Sequence, residues 1–286
     1  MNIGIITAAS EKYANSLFSL IGSLNCNWAN HPPIVVYDLG LSPQTLAILK
    51  KARIEVRSIP AFCSHWRAHY TWKLWCMTYS EFDLVIWMDA GLCVLDNLDE
   101  VIEITKNRSY FLVPNYQFLD YEASEQTCNA CGVPHVFRIG KGTLAGGFIG
   151  FLQNSEFGKL MRNAFEIALT EDNIKAHNNR HKNDQSIISL LAYKQFPNPV
   201  LEDGLKYLGW SSPKMVENQK VWVQRRNILK KDIKIYKSNL AQIGNKHIPK
   251  DPSDLTLFEK IYKKSIIKAK SVGKKLLRRD IKNGIK

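Results

Sequence analysis

Short apolar runs alternate with segments of helical periodicity along the first sixty residues. The runs at 3–7, 34–37 and 54–59 predict β-strands, and the spacing of the apolar residues in 13–24 predicts a helix. A second helix is expected after Ser42, which precedes a proline and is suited to cap the first turn. Strands that alternate with helices at this spacing predict an α/β fold built on a parallel sheet.

The strongest strand signal is the run Leu84–Met88, which leads directly into Asp89, Ala90 and Gly91. Five consecutive apolar residues are typical of a strand buried on both faces. Ligands of open α/β sheets bind at the carboxyl ends of the strands, so a carboxylate at Asp89 is well placed for chemistry. The alternative is that Asp89 only forms a turn ahead of Gly91, which is a common use of aspartate.

Two later segments also carry candidate site residues. Gly146 and Gly147 open a buried run, and glycine there allows the backbone to approach either a ligand or another strand closely. The pair Asp184 and Gln185 precedes a predicted buried helix at 187–193. Asp184 could simply cap that helix, but a helix N-terminus that faces a cleft also favours phosphate, so the two roles are compatible.

The positive charge of the chain is concentrated at its C-terminus. The protein carries a formal net charge of +13, and residues 255–286, with eleven Lys or Arg and two acids, account for +9 of it. Apolar residues recur there every three or four positions, which predicts a basic amphipathic helix beyond the prolines at 249 and 252.

An anionic membrane surface is the favoured partner of this helix, because each basic residue near such a surface contributes about 1 kcal/mol. Packing of the helix on its own domain or on a partner protein is the second possibility. Nucleic acid is the third and is not expected, since a phosphate backbone offers the apolar face nothing to bury.

Composition favours a reducing compartment. The six cysteines are scattered, and the single Cys128-x-x-Cys131 pair lacks the second pair of a zinc site, so ordinary thiols on a loop are expected. Residues 115–142 show no clear periodicity and predict a long loop that is functional or mobile.

The N-terminus lacks the features of a signal peptide, and no run approaches the roughly 20 apolar residues of a membrane span. We therefore expect a cytoplasmic protein.

Four segments occur in a set order: the strand end at 7–8, the strand end at Asp89, the glycines at 146–147 and the pair at 184–185. In this order they resemble the retaining glycosyltransferases of the GT-A fold, the class of glycogenin and bacterial lipopolysaccharide galactosyltransferases. The resemblance covers roughly residues 1–200. It implies a GT-A (nucleotide-diphospho-sugar transferase) fold with a mostly parallel, Rossmann-like sheet flanked by helices.

In that class, groups after the first strand hold the nucleotide base, and a tyrosine stacks on it. The resemblance therefore implies that Thr7, Ala8 and Tyr13 bind the nucleotide, with Ser10 standing where an acidic residue is usual. Lys73 lies near the position at which the class places a phosphate-contacting arginine. This similarity implies a nucleotide-binding role for Lys73 as well.

Residues 82–101 are the segment most similar to the class, whose DxD motif holds a divalent cation between two carboxylates and the donor diphosphate. Here Gly91 replaces the second aspartate, so a Mn²⁺ or Mg²⁺ cofactor is an open question. Asp89 could hold the metal with His247, which is a candidate by analogy with a later histidine ligand. Alternatively, basic residues such as Lys73 could replace the cation.

The residues implied for contact with the donor sugar are Asp89, Ala90, Gly146 and Gly147. Asp184 and Gln185 are implied as the catalytic pair, beside the anomeric carbon. The implied activity is transfer of a hexose from a nucleotide-diphosphate sugar, expected to be UDP-linked, to a glycan or lipid-linked glycan acceptor in surface polysaccharide synthesis. The alternatives are a catalytically inactive GT-A-like binding or scaffold protein and an enzyme of a different reaction on a nucleotide or sugar phosphate, such as nucleotidyl transfer.

The expected organisation is a GT-A catalytic domain over residues 1–250, followed by the basic helix at 255–286. The nucleotide-sugar half would span about 1–115 and the acceptor half about 140–250. Together with the basic helix, this organisation predicts a peripheral protein on the inner face of the membrane.

Overall fold

A computed structural model of the protein describes residues 1–175, 183–201, 203–210 and 218–254. The predicted basic helix at 255–286 lies outside the described residues. The described strands are β1 Ile3–Ala9, β2 Ile34–Asp38, β3 Glu55–Ser58, β4 Leu84–Met88, β5 Leu92–Val94, β6 Tyr110–Phe118, β7 Gly142–Leu152, β8 Leu208–Gly209 and β9 Val221–Val223.

The described α-helices are α1 Ala14–Asn27, α2 Pro43–Lys51, α3 Thr71–Thr78, α4 Asp99–Arg108, α5 Leu119–Glu122, α6 Glu125–Ala130, α7 Glu156–Ala168, α8 Glu171–Ile174, α9 Asp184–Gln195, α10 Gly204–Tyr207 and α11 Lys230–Ser238. Short 3-10 turns cover Glu11–Tyr13, His135–Arg138 and Pro252–Asp254. As predicted, Ser42 caps α2, because its side chain accepts a hydrogen bond from the backbone N–H of Thr45. None of the helices within the described ranges is long and apolar enough to cross a membrane.

The central sheet has six strands in the order β3-β2-β1-β4-β7-β6. β1 pairs in parallel with both β2 and β4, and β2 pairs in parallel with β3. β7 lies between β4 and β6 and runs antiparallel to both. The predicted α/β fold with a mostly parallel sheet flanked by helices is therefore confirmed.

Alternating side chains of the strands pack against helices on both faces of the sheet. Val85 and Trp87 of β4 belong to the hydrophobic core that includes α3, α7 and α9. Leu84, Ile86 and Met88 belong to the core on the other face, which includes α1 and α4. Burial of each such side chain contributes about 1.5–3 kcal/mol, so these two cores hold the strand ends of the sheet in place.

The described part of residues 205–250 contributes β8 and β9 to a small second sheet, which β5 completes, and forms α11. The sheet has the order β5-β9-β8, with β9 antiparallel to β5 and parallel to β8. α11 packs directly on α1 at Gly22, where an added Cβ would clash with the backbone of Tyr236. The glycine is thus required for the two helices to touch, and this contact ties the C-terminal segment to the first helix.

The prediction of a long loop at 115–142 is wrong. β6 continues to Phe118, and α5, α6 and a 3-10 turn follow before β7 begins. These helices have four and six residues, which is too short for a 3.6-residue repeat to appear in the sequence. The two thiols expected on a loop, Cys128 and Cys131, are instead buried on α6 and at its end.

Candidate active site

A cavity of about 810 Å³ opens at the carboxyl ends of the parallel strands β1 and β4. Among the described residues, it is lined by Ala8, Ala9, Ser10, Tyr13, Leu39, Arg67, His69, Tyr70, Trp72, Lys73, Asp89, Ala90, Gly91, Leu92, Asn115, Ala145, Gly146, Gly147, Asn183, Asp184, Gln185, Leu208, Trp210, Val223, Arg225 and Arg226. Parallel strands converge at this edge, which is the usual location of ligand sites in open α/β sheets.

Three charged side chains meet at one wall of the cavity. The ammonium of Lys73 lies 3.0 Å from Asp184 Oδ2 and 3.3 Å from Asp89 Oδ1. The side chains of Lys73 and Asp184 are 4% and 6% exposed, whereas that of Asp89 is 47% exposed. A buried ammonium requires compensating charge, and the two carboxylates supply it.

Each member of this charged cluster is positioned by a different element. Lys73 lies in the first turn of α3, Asp89 directly follows β4, and Asp184 is the first residue of α9. Trp87 donates its indole N–H to Asp89 Oδ1 at 2.8 Å, which fixes the orientation of that carboxylate. The cluster therefore depends on the packing of three elements that are far apart in the sequence.

Burial and charge act in opposite directions on the pKa of the two buried groups. For Lys73, burial lowers the pKa, but the charges of Asp184 and Asp89 outweigh it and the pKa is raised above its ordinary value. For Asp184, burial raises the pKa above its ordinary value against the opposing effect of the Lys73 charge. Lys73 accordingly remains an ammonium at neutral pH.

Asp184 is the first residue of α9 and does not hold the N-cap position, so a capping role alone does not account for it. Asn183 occupies the N-cap position and makes no side-chain cap hydrogen bond, and Asp184 turns to Lys73 instead. The neighbouring Gln185 accepts a hydrogen bond of 3.4 Å from the backbone N–H of Gly146 through its Oε1. Its Nε2 is buried and has no partner among the described residues. An unpaired amide donor in a cavity wall is available to a ligand oxygen.

The two glycines of β7 lie against the charged cluster. A Cβ at Gly147 would lie 2.9 Å from Asp89 Oδ2, and one at Gly146 would lie 3.4 Å from both Asp184 Oδ2 and Lys73 Nζ. The backbone N–H of Asp89 also donates to the carbonyl of Gly147 at 2.9 Å. The close approach anticipated for these glycines is thus to the side chains of Asp89, Asp184 and Lys73.

The structure brings most of the residues implied for the nucleotide to the cavity. Ala8 and Tyr13 line it, and the Tyr13 side chain is partly exposed. The guanidinium of Arg226 lies 5.7 Å from the centroid of the Tyr13 ring. Thr7 is fully buried and does not line the cavity. Lys73 lines the cavity, but its charge is already balanced by two carboxylates.

His247 is placed away from the cavity. Its backbone N–H and carbonyl both bond to the side chain of Asn27, the last residue of α1, and its Nε2 lies 3.0 Å from Asp232 Oδ1. α1 has 14 residues and is therefore about 21 Å long at 1.5 Å per residue, with Tyr13 at its other end. The proposed pairing of His247 with Asp89 at a metal is not formed.

Three arginines that the sequence pattern does not single out also line the cavity, namely Arg67, Arg225 and Arg226. Arg225 and Arg226 closely follow β9, which belongs to the small second sheet, so the strand-end argument for the central parallel sheet does not identify them. Both residues lie more than a hundred positions after Asp89 in the sequence, so no local pattern connects them with the site.

Searches with models of known protein families and among curated proteins find no match. Among solved structures, the fold is similar to the apo structure of WbbM, a bifunctional glycosyltransferase, with a TM-score of 0.57 and 12% sequence identity. The similarity covers 84% of this chain and 50% of that one, so the chain spans half the length of that protein. The protein therefore has the fold of a glycosyltransferase structure.

Proposed function

We propose that the protein is a glycosyltransferase that moves a hexose from a nucleotide-diphosphate sugar, most simply a UDP-sugar, to a glycan or lipid-linked glycan. The observation that carries this proposal is the cluster of Asp89 and Asp184 around Lys73, at the strand-end cavity of a glycosyltransferase-like fold. The resemblance of the sequence to GT-A enzymes supports the same activity, and it is the basis for the proposed donor, acceptor and role in surface polysaccharide synthesis.

The nucleotide would lie along the end of β1, with its base against Tyr13 and its phosphates towards the charged side of the cavity. The sugar would then lie beside Gly146 and Gly147. Because neither glycine has a side chain, the sugar ring can approach the carboxylates of the charged cluster closely. The unpaired amide of Gln185 would donate to a sugar or phosphate oxygen there.

In the reaction, the bond between the anomeric carbon and the phosphate oxygen breaks, and a bond from that carbon to the acceptor oxygen forms. The proton of the acceptor hydroxyl passes to the departing phosphate, as a reaction with retention on one face of the sugar requires. Positive charge develops on the sugar ring in the transition state. The charged cluster holds two carboxylates and one ammonium, and its net negative charge would stabilise that ring.

The partly exposed Asp89 would position the sugar through its hydroxyl groups, while the buried Asp184 would remain fixed behind the anomeric carbon. The ammonium of Lys73 faces both carboxylates and holds them in place. It would therefore not contact the substrate itself. Such preorganised charge requires little rearrangement when the reaction occurs.

The test is release of UDP from UDP-hexoses in the presence of a panel of glycan and lipid-linked acceptors. We expect turnover by the native protein and a loss of at least about 100-fold in the Asp184→Asn variant, because one preorganised electrostatic contact accounts for roughly that factor. Glu103→Gln, which removes an exposed carboxylate that pairs with Lys106, is the matched control and should retain full activity.

A nucleotide that binds without turnover for any acceptor would instead support a GT-A-like binding or scaffold protein. Gly91 is the feature that favours this second reading, since a carboxylate typical of the motif is missing there. Failure of every nucleoside diphosphate to bind would refute both readings.

A further inference from the structure

The position of the missing second carboxylate is closed by the backbone of another segment. A Cβ added at Gly91 would lie 3.1 Å from the Cα of Arg225, and the backbone N–H of Arg225 donates to the Gly91 carbonyl at 2.6 Å. A contact of 3.1 Å is tighter than ordinary van der Waals packing, so a side chain at 91 would require this loop to shift by a few tenths of an ångström. The loop that carries Arg225 thus occupies the side of the motif where a DxD carboxylate would project.

The remaining carboxylate, Asp89, is a poor match for a divalent cation. Its Oδ1 already accepts from Trp87 and faces the Lys73 ammonium at 3.3 Å, which would repel a metal ion. Its Oδ2 faces Gly147. Within the described ranges, no group of three His, Cys, Asp or Glu side chains is arranged to hold a metal. Mg²⁺ and Mn²⁺ bind through several oxygen ligands, so this set of donors does not fit them.

Positive charge reaches the same cavity from protein side chains instead. Arg67, Arg225 and Arg226 line the cavity and are exposed, and none forms an ion pair with a described residue. The described lining, which includes the charged cluster, contains four Lys or Arg and two Asp side chains and therefore has a net charge of +2. Each phosphate of a nucleotide-diphosphate sugar carries one negative charge, so the cavity and such a ligand are complementary.

We propose that Arg225 and Arg226 bind the donor diphosphate directly and take the place of the divalent cation. This inference rests on the proposed glycosyltransferase function and specifies how its donor is held. Arginine suits the task because its planar guanidinium donates two parallel hydrogen bonds to phosphate oxygens and stays charged at any physiological pH.

The position of the two arginines links both ends of the donor. The Arg225 backbone is hydrogen-bonded to Gly91, next to Asp89 and hence near the expected sugar. The Arg226 guanidinium lies over the ring of Tyr13, the residue implied for the base. The diphosphate lies between sugar and base in the donor, so it falls at these two residues. As the bond to the sugar breaks, their charges would stabilise the departing nucleoside diphosphate.

The test is calorimetric titration of UDP and of uridine into the full-length protein, in EDTA and in Mn²⁺. We expect UDP to bind with the same affinity within about twofold in both conditions. The variant Arg225→Ala/Arg226→Ala should bind UDP about 10- to 100-fold more weakly and bind uridine unchanged, because hydrogen bonds to charged groups are lost only at the phosphates.

Lys230→Ala/Lys231→Ala is the matched control, because it removes the same charge from exposed residues of α11 that do not line the cavity. It should leave UDP affinity unchanged. Arg225→Lys/Arg226→Lys keeps the charge but loses the paired donors, and it should give an intermediate affinity. Thermal unfolding of each variant separates a binding defect from a folding defect.

Binding of UDP that requires Mn²⁺ would overturn the inference, and so would unchanged UDP affinity in the arginine-to-alanine variant. Turnover by the native protein in either case would leave the glycosyltransferase function standing. If no nucleoside diphosphate bound in either condition, the proposed function would fall together with the inference.

Discussion

Lys73 and Asp184 form a buried ion pair, with 3.0 Å between Nζ and Oδ2, although 110 residues of sequence separate them. The pair connects α3 to α9 across the end of the central sheet, and Asp89 completes it from β4. Buried charges of this kind are costly to fold, so their presence beside a cavity is more readily explained by chemistry than by stability.

Removal of the buried Lys73 ammonium should destabilise the protein far more than removal of an exposed lysine ammonium. Lys73→Met leaves Asp184 and Asp89 facing each other without a counter-ion, and the loss of a buried partner typically costs about 3–5 kcal/mol. The free energy of unfolding, measured in urea, should fall by that amount. Lys106→Met, which breaks an exposed pair with Glu103, should cost less than about 1 kcal/mol. Equal effects of the two variants would contradict the burial argument.

The dependence of stability on pH should report the raised pKa of Asp184. Because this pKa is higher in the folded than in the unfolded protein, the folded state takes up the proton first as the pH falls. Asp184 therefore lowers stability while ionised, and this penalty is relieved as the pH falls through the raised pKa towards the ordinary value of 3.8.

In Asp184→Asn the penalty is absent at every pH, and Lys73 retains Asp89 as its partner. The native protein should accordingly gain stability relative to this variant between neutral pH and about pH 4, as urea unfolding at several pH values would reveal. A difference that stayed constant with pH would show that Asp184 has the same pKa in both states.

A methyl group at Gly147 should disturb the site more than the fold. The new Cβ would lie 2.9 Å from Asp89 Oδ2, so the carboxylate has to move away. We expect Gly147→Ala to lose about 10- to 100-fold in donor turnover, since a small misplacement of a positioning group has effects of this size. Gly142→Ala on the same strand is the control, because its Cβ would meet only ordinary packing at 3.6 Å from the Gln117 carbonyl. Full activity in both variants would argue against a role for Asp89.

Restoring the missing carboxylate should not restore a metal site. Gly91→Asp would place its Cβ against the Arg225 backbone, shift the loop that carries both arginines slightly and add a negative charge to the cavity lining. UDP binding should weaken and should gain no dependence on Mn²⁺, as titration with and without the ion would show. Gly91→Ala, with the same contact but no charge, separates the steric effect from the electrostatic one. A Gly91→Asp protein that bound UDP more tightly in Mn²⁺ would revive the metal-dependent scheme.

The basic segment should control association with membranes. We expect the full chain to bind vesicles containing anionic lipid and a variant lacking residues 255–286 to remain in solution, because each basic residue contributes about 1 kcal/mol near an anionic surface. Co-sedimentation measures this directly, and vesicles of neutral lipid at the same salt concentration are the control. Unchanged binding of the shortened chain would exclude this segment as the membrane contact.

The local sequence pattern was sufficient to predict the buried strands of the sheet and the residues at their ends. The apolar runs of β1 and β4 predicted the parallel part of the sheet, since strands buried on both faces have no polar positions. The same reasoning placed Asp89 at a strand end and the buried helix after Asp184. Gly146 and Gly147 were recognised because glycine in a strand marks a close approach of the backbone.

Folding decided which of these residues have partners. Lys73 was expected to contact phosphate, but its ammonium is held between Asp89 and Asp184 on two other elements. His247 was considered as a metal ligand, but it lies at the far end of α1 with Asp232. Arg225 entered the site because its backbone packs on Gly91, and Arg226 follows it directly in the chain. A buried charge is defined by contacts between distant parts of the chain, and no local pattern of apolar and polar residues encodes those contacts.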